Sequence, residues 1–154
     1  MKNWIKLIIS IAISYLAGII GSLSGPADSW YIGLVKPSFN PPNWIFGPAW
    51  LTLYTLMGVA LCLVWTAKAK KDLKKLAIIA FSAQLMLNAA WSIIFFGLHS
   101  PLFAFMDIIL LWLGILLTII LFYRVSKPAS YLLVPYLLWV SFAAVLNYMI
   151  MILN

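Results

Sequence analysis

The sequence predicts an all-α integral membrane protein, a bundle of five transmembrane helices with a first loop rich in proline and tryptophan. Of the 154 residues, 66% are hydrophobic and 8% are charged, whereas a soluble domain is about half apolar and a quarter charged. Five apolar stretches each approach the ~20 residues that cross a bilayer. The basic residues gather between alternate stretches. Residues 1–154 are therefore predicted to form a single membrane domain.

The apolar stretches place the five spans at about residues 5–24, 44–67, 76–97, 102–123 and 131–153. The connections between them differ in chemistry. The first, Gly25–Asn43, is rich in proline, and the second, Lys68–Lys75, is a charged turn. The third, Leu98–Pro101, is so short that the third and fourth spans must form an antiparallel hairpin. The fourth contains Pro128.

Charge gives the predicted orientation. With five spans, nine of the ten basic residues share one side of the membrane with the N-terminus, and the opposite side holds only Lys36. The positive-inside rule then places the N-terminus in the cytoplasm and the C-terminus outside. The formal charge of +7 is thereby explained by topology rather than by nucleic-acid binding. Lys-rich loops without a targeting presequence fit a bacterial plasma membrane.

The first span has an alternative interpretation. Its Lys-flanked apolar run ends in Gly-Ser-Leu-Ser-Gly and so also resembles a signal peptide, although the run is longer than a usual signal core. We interpret it as a retained membrane helix. Ser10, Ser14 and Gly18 recur every four residues and form a small-residue face, which lets membrane helices approach closely. This face predicts packing within the chain or a seam between two copies.

Enzyme signatures are mostly absent. The single cysteine, Cys62, lies in an apolar run, which excludes an internal disulfide and disfavours a metal cluster. His99 and the acids Asp28, Asp72 and Asp107 form no paired carboxylates, no His-x-x-x-His and no Gly-x-Ser-x-Gly motif. Conventional hydrolytic or metal-dependent catalysis is therefore disfavoured, and no cofactor or metal is required.

Aromatic and polar residues share helical faces on four predicted spans, because side chains three or four residues apart lie in one stripe. The stripes are Phe46, Trp50 and Tyr54 in the second span; Gln84, Asn88, Trp91 and Phe95 in the third; Asp107, Leu111, Gly114 and Thr118 in the fourth; and Tyr136, Trp139, Ala143 and Leu146, with Asn147 at the edge, in the fifth. Each stripe alone fits simple packing between helices. Together they favour a cavity for a planar, mostly apolar ligand.

The first loop strengthens the cavity prediction, because prolines at this density stiffen a loop. Its characteristic residues are Trp30, Lys36, Pro37, Pro41, Pro42 and Trp44, with Pro26 before them and Pro48 just inside the second span. Such a loop is predicted to act as a lid over the outer mouth of the bundle. Lys36 has two interpretations: a contact with a ligand carboxylate, or an interfacial side chain that reaches lipid headgroups, which is favoured at least as much.

These residues resemble a known family, the tryptophan-rich sensory protein/translocator protein family, also called the peripheral benzodiazepine receptor family. Its signature is similar to Trp30-Tyr31-x-x-Leu34-x-Lys36-Pro37-x-x-x-Pro41-Pro42-x-Trp44 followed by Pro48-x-Trp50-x-x-Leu53-Tyr54. Further blocks agree in order: Gln84-x-x-Leu87-Asn88-x-x-Trp91-Ser92-x-x-Phe95-Phe96, then Asp107, then Pro135-Tyr136-Leu137-x-Trp139-x-x-Phe142-Ala143-x-x-Leu146-Asn147-Tyr148. The resemblance covers about residues 18–148.

The resemblance implies five membrane helices, commonly in a homodimer, with a cavity beneath the first loop. It implies binding of porphyrins such as protoporphyrin IX and haem, and of synthetic isoquinoline carboxamide and benzodiazepine-type ligands, besides membrane lipid. Trp50 and Trp139 would flank the ligand, and the small Ala143 would leave room for it. Carried over by position, with Tyr54 added from its stripe, the ligand-binding candidates are Ser22, Tyr31, Trp50, Tyr54, Asn88, Trp91, Trp139, Ala143 and Leu146.

One departure from the family pattern concerns sterols. Animal members follow the Asn-Tyr of the last helix with a basic residue, which completes a proposed cholesterol motif. Here Tyr148 is followed by Met-Ile-Met-Ile-Leu-Asn, and the pattern is met instead at Leu121-Phe-Tyr123-Arg-Val-Ser-Lys127, which chance easily produces. Sterol transport is therefore doubtful. Asp107 matches an intramembrane acid of the family, with a role in either stability or transport.

Three functional hypotheses remain. The first is porphyrin binding for tetrapyrrole transport, sensing or homeostasis, with the ligand carboxylates near Lys36 and Asn88. The second, an enzyme-like one, is oxidative or light-driven breakdown of the bound porphyrin, with the indoles of Trp50 and Trp139 as electron donors and no other catalytic residue. The third is a scaffold whose aromatic residues only pack, which predicts a filled bundle interior.

Overall fold

The structure, a computed structural model, describes residues 2–23 and 29–154, apart from the side chain of Ser29. Three features of the sequence lie outside these ranges: Pro26, Asp28 and the predicted end of the first span at residue 24. Within the described ranges all regular secondary structure is helical. Five segments are long and apolar enough to cross a membrane, which confirms the predicted five-helix membrane bundle.

The helices follow the apolar stretches. They are α1 (Asn3–Ser22), α2 (Ser29–Gly33), α3 (Asn43–Thr66), α4 (Lys71–Ser92), α5 (Pro101–Val125), α6 (Lys127–Leu132) and α7 (Val134–Leu153), and a π-helical turn at Ile93–Gly97 extends α4. Proline stands in the first turn of α5, α6 and α7, where its missing N–H removes no helical hydrogen bond. The membrane-spanning units are α1, α3, α4 with the π-helical turn, α5, and α6 with α7.

Two helices begin earlier than the apolar stretches suggest. α4 starts at Lys71, inside the predicted charged turn, and α6 starts at Lys127. Hydropathy marks only the part of a helix that suits the bilayer, whereas lysine is a good helix former and extends the helix into the headgroup region. Asp72 in the first turn of α4 suits the positive end of the helix dipole. Lys74 closes the connection by donating to the carbonyl oxygens of Trp65 at 2.8 Å and Ala67 at 3.0 Å.

The spans form a closed ring. α1 packs against α3 and α4, α4 packs against α5, α5 packs against α6 and α7, and α6 packs against α3. One end of the bundle, the basic end, holds the start of α1, the α3–α4 connection and the α5–α6 junction. The opposite end, the loop end, holds α2, the π-helical turn and the C-terminus. The short hairpin predicted between the third and fourth spans is present at the loop end, where His99 adopts a φ of 50°.

The interior of the basic half is filled by apolar side chains. Phe81 of α4 stacks on Phe122 of α5 with ring centroids 5.7 Å apart, and Met57 and Val64 of α3 are fully buried. At Leu133 the fifth span changes from α6 to α7. α6 packs against α3, whereas α3 and α7 border an open space in the loop half. The fold therefore places a packed core at one end and a cavity at the other.

Candidate ligand-binding cavity

A cavity of about 600 Å³ occupies the loop half of the bundle. Its walls come from α1, α3, α4 with the π-helical turn, and α7, and Tyr31 of α2 closes part of its loop end. Most of the lining is aromatic or small. The lining residues are Tyr15, Gly18, Ile19, Gly21, Ser22, Tyr31, Asn43, Phe46, Gly47, Trp50, Leu51, Tyr54, Trp91, Ser92, Phe95, Phe96, Trp139, Ala143, Leu146, Asn147 and Ile150. Among the residues that the structure describes, none that lines the cavity is charged.

One aromatic wall runs from α3 to α7. Trp50 stacks on Tyr54 with centroids 5.4 Å apart and planes 25° apart, as expected for aromatic residues one turn apart on a helix. The edge of this stack meets Trp139, whose centroid is 6.5 Å from that of Trp50 at an interplanar angle of 82°. The two indoles thus form a corner of this wall, and their flanking of a ligand stays a prediction. A flat ligand can stack on one ring and contact the edge of the other.

The opposite aromatic wall surrounds the π-helical turn. Trp91 stacks on Phe95 with centroids 5.2 Å apart, and Phe96 meets Phe95 at 4.9 Å with an interplanar angle of 69°. Successive side chains of an α-helix diverge by about 100°, so two neighbours rarely face the same space. The wider π-helical turn brings both Phe95 and Phe96 to the cavity. Such turns are frequent at functional sites.

Polar groups behind the walls are hydrogen-bonded. Asn88 is 3% exposed and does not line the cavity. Its Oδ1 accepts from the Tyr54 hydroxyl at 2.7 Å, and its Nδ2 donates to the Tyr136 hydroxyl at 3.1 Å. The indole N–H of Trp91 donates to Oδ1 of Asn147 at 2.9 Å. These bonds fix the orientation of two aromatic rings that face the cavity, those of Tyr54 and Trp91.

α1 supplies a wall that the sequence stripes did not include. Gly18 lies so close to Tyr54 that an added Cβ would be 2.5 Å from Cε2 of the ring. Gly21 similarly faces Ser92 of α4, with an added Cβ at 2.9 Å from its Cβ. Ser10 and Ser14 are fully buried within the single chain. Of the two uses predicted for the small-residue face, the structure therefore shows packing within the chain.

Among its described residues the first loop contributes to the cavity Asn43, at the start of α3, and Tyr31, whose pKa is raised by burial. Trp30 instead stacks on His99 with centroids 4.5 Å apart, and so joins the loop to the α4–α5 hairpin. Pro37 is buried, Pro41 is half-buried and Pro42 is exposed before α3, and Trp44 is 73% exposed. The lining of the cavity includes none of the loop residues Pro37, Pro41, Pro42 and Trp44, and it does not include Lys36.

Lys36 stabilises the loop itself. Its Nζ donates to the carbonyl oxygens of Tyr31 at 2.7 Å, Leu34 at 3.3 Å and Ile32 at 3.4 Å. It also lies 4.5 Å from the centroid of the Tyr31 ring. A cation near the last carbonyls of a short helix is a favourable cap. The ammonium donors are thus engaged within the loop, a use that neither interpretation of Lys36 anticipated.

The stripe on α5 lies outside the cavity, so the expectation that all four stripes surround one cavity is wrong for this helix. Asp107, Leu111 and Thr118 are buried, and Gly114 faces Gln84 of α4, where an added Cβ would be 3.3 Å from its Cβ. A stripe shows which residues share a face but not which neighbour the face meets. At Gly114 this face of α5 meets α4 rather than the cavity.

Comparison with known proteins identifies relatives over nearly the whole chain. The sequence profile of the TspO/MBR family matches residues 10–153. The tryptophan-rich protein TspO of Chlorobaculum tepidum is 48% identical over 99% of this chain and 98% of its own length. The protein of the same name from Archaeoglobus fulgidus is 46% identical over 99% of each chain. The translocator protein of Homo sapiens is 40% identical over 86% of this chain and 80% of its own length.

The chain belongs to the TspO/MBR family. The family resemblance of the sequence motifs is thereby confirmed, and so is an integral membrane protein of five spans. Among the nine predicted ligand-binding residues, the cavity brings together eight: Ser22, Tyr31, Trp50, Tyr54, Trp91, Trp139, Ala143 and Leu146. The ninth, Asn88, stands behind Tyr54. The cavity adds Tyr15, Gly21 and Phe96, which the stripes had not indicated.

Proposed function

We propose that the protein binds porphyrins, such as protoporphyrin IX and haem, and other planar hydrophobic ligands in this cavity, and that it serves tetrapyrrole transport, sensing or homeostasis. The observation that carries the proposal is an aromatic-lined cavity of about 600 Å³ inside a membrane-spanning bundle. Small-molecule sites have volumes of about 300–1,000 Å³ and are mostly apolar with a few polar groups. The cavity has both properties, whereas a scaffold with a filled interior would have neither.

Two flat surfaces suit a planar ligand. The stacked pair of Trp50 and Tyr54 offers one, and the stacked pair of Trp91 and Phe95 offers the other. Stacking on such rings needs no charged partner. The polar edge of the ligand would lie at the loop end, where the exposed residues Ser22 and Asn43 border the cavity. We therefore place ligand carboxylates at this mouth.

Quenching of tryptophan fluorescence by protoporphyrin IX tests the proposal. Trp139→Phe removes the edge contact with Trp50, and Ala143→Thr adds volume to the cavity wall. We expect each change to raise the Kd about three- to tenfold. For Trp139→Phe this factor is the equivalent of one lost aromatic contact. The midpoint of the titration, rather than its amplitude, gives the Kd, because Trp139 is itself an emitter.

The matched control is Trp112→Phe. Trp112 lies on α5 outside the cavity, and its indole donates to Oγ of Ser141 at 2.8 Å. This variant also loses one emitting tryptophan but should keep the Kd of the unchanged protein. Unchanged midpoints for both Trp139→Phe and Ala143→Thr would reject the cavity as the porphyrin site.

Oxidative or light-dependent breakdown of the bound porphyrin is the alternative function. It is favoured by the indoles of Trp50, Trp91 and Trp139, which all border the cavity and would stand beside an excited macrocycle in the presence of oxygen. Under illumination, the porphyrin absorption should then decay faster with the protein than in empty detergent micelles. Trp112→Phe should leave that decay unchanged. Equal decay with and without protein would exclude the alternative and leave binding untouched.

We further propose that the basic end faces the cytoplasm of a bacterial plasma membrane. The basic end carries nine of the ten Lys and Arg residues, and cytoplasmic loops carry such an excess. A cysteine introduced in place of Ala69 or Asn154, in a Cys62→Ser background, reports the side of each end. An impermeant maleimide should label intact cells only at position 154. Labelling only at position 69 would invert the orientation.

A further inference from the structure

A second concave surface lies between α1 and α3 at the basic end. The two helices are closest at Gly58, where an added Cβ would be 2.5 Å from Cα of Ile11. Beyond this crossing a groove of about 360 Å³ opens toward the basic end. Its lining residues are Asn3, Trp4, Leu7, Val59, Cys62, Leu63 and Thr66. None of them lines the aromatic cavity, so the groove is a separate surface.

The groove changes from apolar to polar along its length. Leu7, Val59 and Leu63 line the part nearest the crossing and are half-buried. Asn3 and Thr66 lie at the opposite extreme, in the first turn of α1 and the last turn of α3. A molecule that follows the groove therefore passes from hydrocarbon depth to the membrane–water interface, which is the polarity profile of one phospholipid leaflet.

Two lysines adjoin groove-lining residues of α1 in the sequence, Lys2 before Asn3 and Lys6 before Leu7. Lys2 precedes α1 and is exposed, and Lys6 lies in its first turns with Nζ 5.9 Å from the centroid of the Trp65 ring of α3. In residues 2–23 and 29–154 these ammonium groups have no carboxylate partner. The only acid predicted at the basic end is Asp72, against nine basic residues. Juxtamembrane lysines of this kind attract anionic headgroups.

We propose that this groove binds an anionic phospholipid of the surrounding membrane. One acyl chain would lie against Leu7, Val59 and Leu63, and the headgroup phosphate would lie near Lys2 and Lys6. Apolar volume alone would accept the chain of any lipid, whereas the nearby lysines, which have no carboxylate partner among the described residues, would select the negative headgroup. The site is independent of porphyrin binding, because it shares no residue with the cavity.

Native mass spectrometry of the full-length protein tests this proposal. The detergent-purified protein is exposed to equal amounts of dioleoylphosphatidylglycerol and dioleoylphosphatidylcholine, which differ only in the headgroup. We expect preferential retention of one phosphatidylglycerol. Lys6→Gln should lower the ratio of bound phosphatidylglycerol to phosphatidylcholine about fivefold, the effect of one basic residue near a membrane surface. Val59→Phe should lower retention of both lipids by filling the groove.

Two controls separate the groove from the general surface. Lys127→Gln removes a lysine at the same end that belongs to α6, whereas the groove is lined by α1 and α3 alone. Leu113→Phe enlarges a side chain on the exposed face of α5, where Leu113 is 52% exposed. Neither change should alter lipid retention.

Three results would overturn the proposal. The first is equal retention of the two lipids by the unchanged protein. The second is an equal loss for Lys6→Gln and Lys127→Gln, which would show a diffuse attraction to the whole basic end. The third is a change in dimer content with Val59→Phe at constant lipid retention, which would identify a second copy of the chain as the occupant. Lys6→Gln, at the exposed end of α1, keeps the test decisive if Val59→Phe fails to fold.

Discussion

The hydroxyl of Tyr54 donates a 2.7 Å hydrogen bond to Oδ1 of Asn88, which fastens the aromatic wall on α3 to the interior of α4. The amide nitrogen of Asn88 continues the connection to Tyr136 of α7. A buried amide is costly in a membrane unless it is hydrogen-bonded. Here the amide joins three spans directly behind the cavity. We therefore assign Asn88 a structural role, and a ligand in the proposed site would meet the ring of Tyr54 instead.

Tyr54→Phe should lower the stability of the protein. The phenyl ring still fills its place beside Trp50, but Oδ1 of Asn88 then lacks its donor in a buried position, at a cost of about 1–3 kcal/mol. We expect a lower apparent unfolding temperature in detergent. Tyr131→Phe removes a hydroxyl from a side chain that is 60% exposed and should leave the unfolding temperature unchanged. Equal effects of the two changes would contradict the structural role of the bond.

Gly58→Ala should separate α1 from α3. An added Cβ would lie 2.5 Å from Cα of Ile11, and a backbone atom cannot move aside as a flexible side chain can. Overpacking of this kind costs about 1–3 kcal/mol. The control is Gly33→Ala, because an added Cβ there meets no atom within 4 Å. Thermal unfolding of both variants measures the difference. Unfolding temperatures that match would show that the crossing tolerates a methyl group.

The sequence predicts the spans and part of the cavity for a physical reason. Membrane crossing depends on hydropathy along the chain, and helical faces depend on periodicity, and both are local properties. The spacing of Trp50, Trp91 and Trp139 within their stripes is therefore enough to indicate the cavity. The stripe that contains Asp107 has the same periodicity but does not line the cavity, because the order of helices in the ring is set by packing between distant segments.

Two further parts of the cavity have no clear signal in the sequence. Gly18 belongs to the small-residue face of α1 and Gly21 follows it by three residues, and such small residues are equally suitable for helix packing and for lining a cavity. The π-helical turn at Ile93–Gly97 interrupts the α-helical periodicity, so that Phe96 joins Phe95 at the cavity. The only sequence feature that indicates Phe96 is its position directly after Phe95, the last residue of the α4 stripe.

The stability of the first loop should depend on pH through Tyr31. Burial raises the pKa of Tyr31 above its ordinary value of 10.0. The unfolded chain therefore loses this proton first as the pH rises, and the contribution of neutral Tyr31 to stability is complete below about pH 10 and is lost above it. We expect the unfolding temperature to fall less between about pH 9 and about pH 11 in Tyr31→Phe than in the unchanged protein.

Other tyrosines and the lysines also titrate in this range, so the comparison needs a matched variant. Tyr131→Phe removes an exposed tyrosine and should keep the full fall in unfolding temperature. A fall of the same size in all three proteins would mean that the Tyr31 hydroxyl ionises equally easily in the folded and unfolded chains.

Gln84 and Asn88 stand one turn apart on α4 and should respond in opposite ways to apolar replacement. Both are buried, at 1% and 3% exposure. Among the described residues, neither Oε1 nor Nε2 of Gln84 has a hydrogen-bond partner, whereas Asn88 bonds to two tyrosines. Gln84→Met keeps the length of the side chain and removes two unpaired polar atoms. It should therefore raise the unfolding temperature, because an unsatisfied buried polar group costs about 1–3 kcal/mol.

Asn88→Leu is the matched change on the same helix face. It leaves the hydroxyls of Tyr54 and Tyr136 buried without their shared amide, and it should lower the unfolding temperature. Thermal unfolding of the two variants in one detergent compares them directly. If Gln84→Met lowers the unfolding temperature as well, the amide of Gln84 is not the unpaired, destabilising group that this contrast requires.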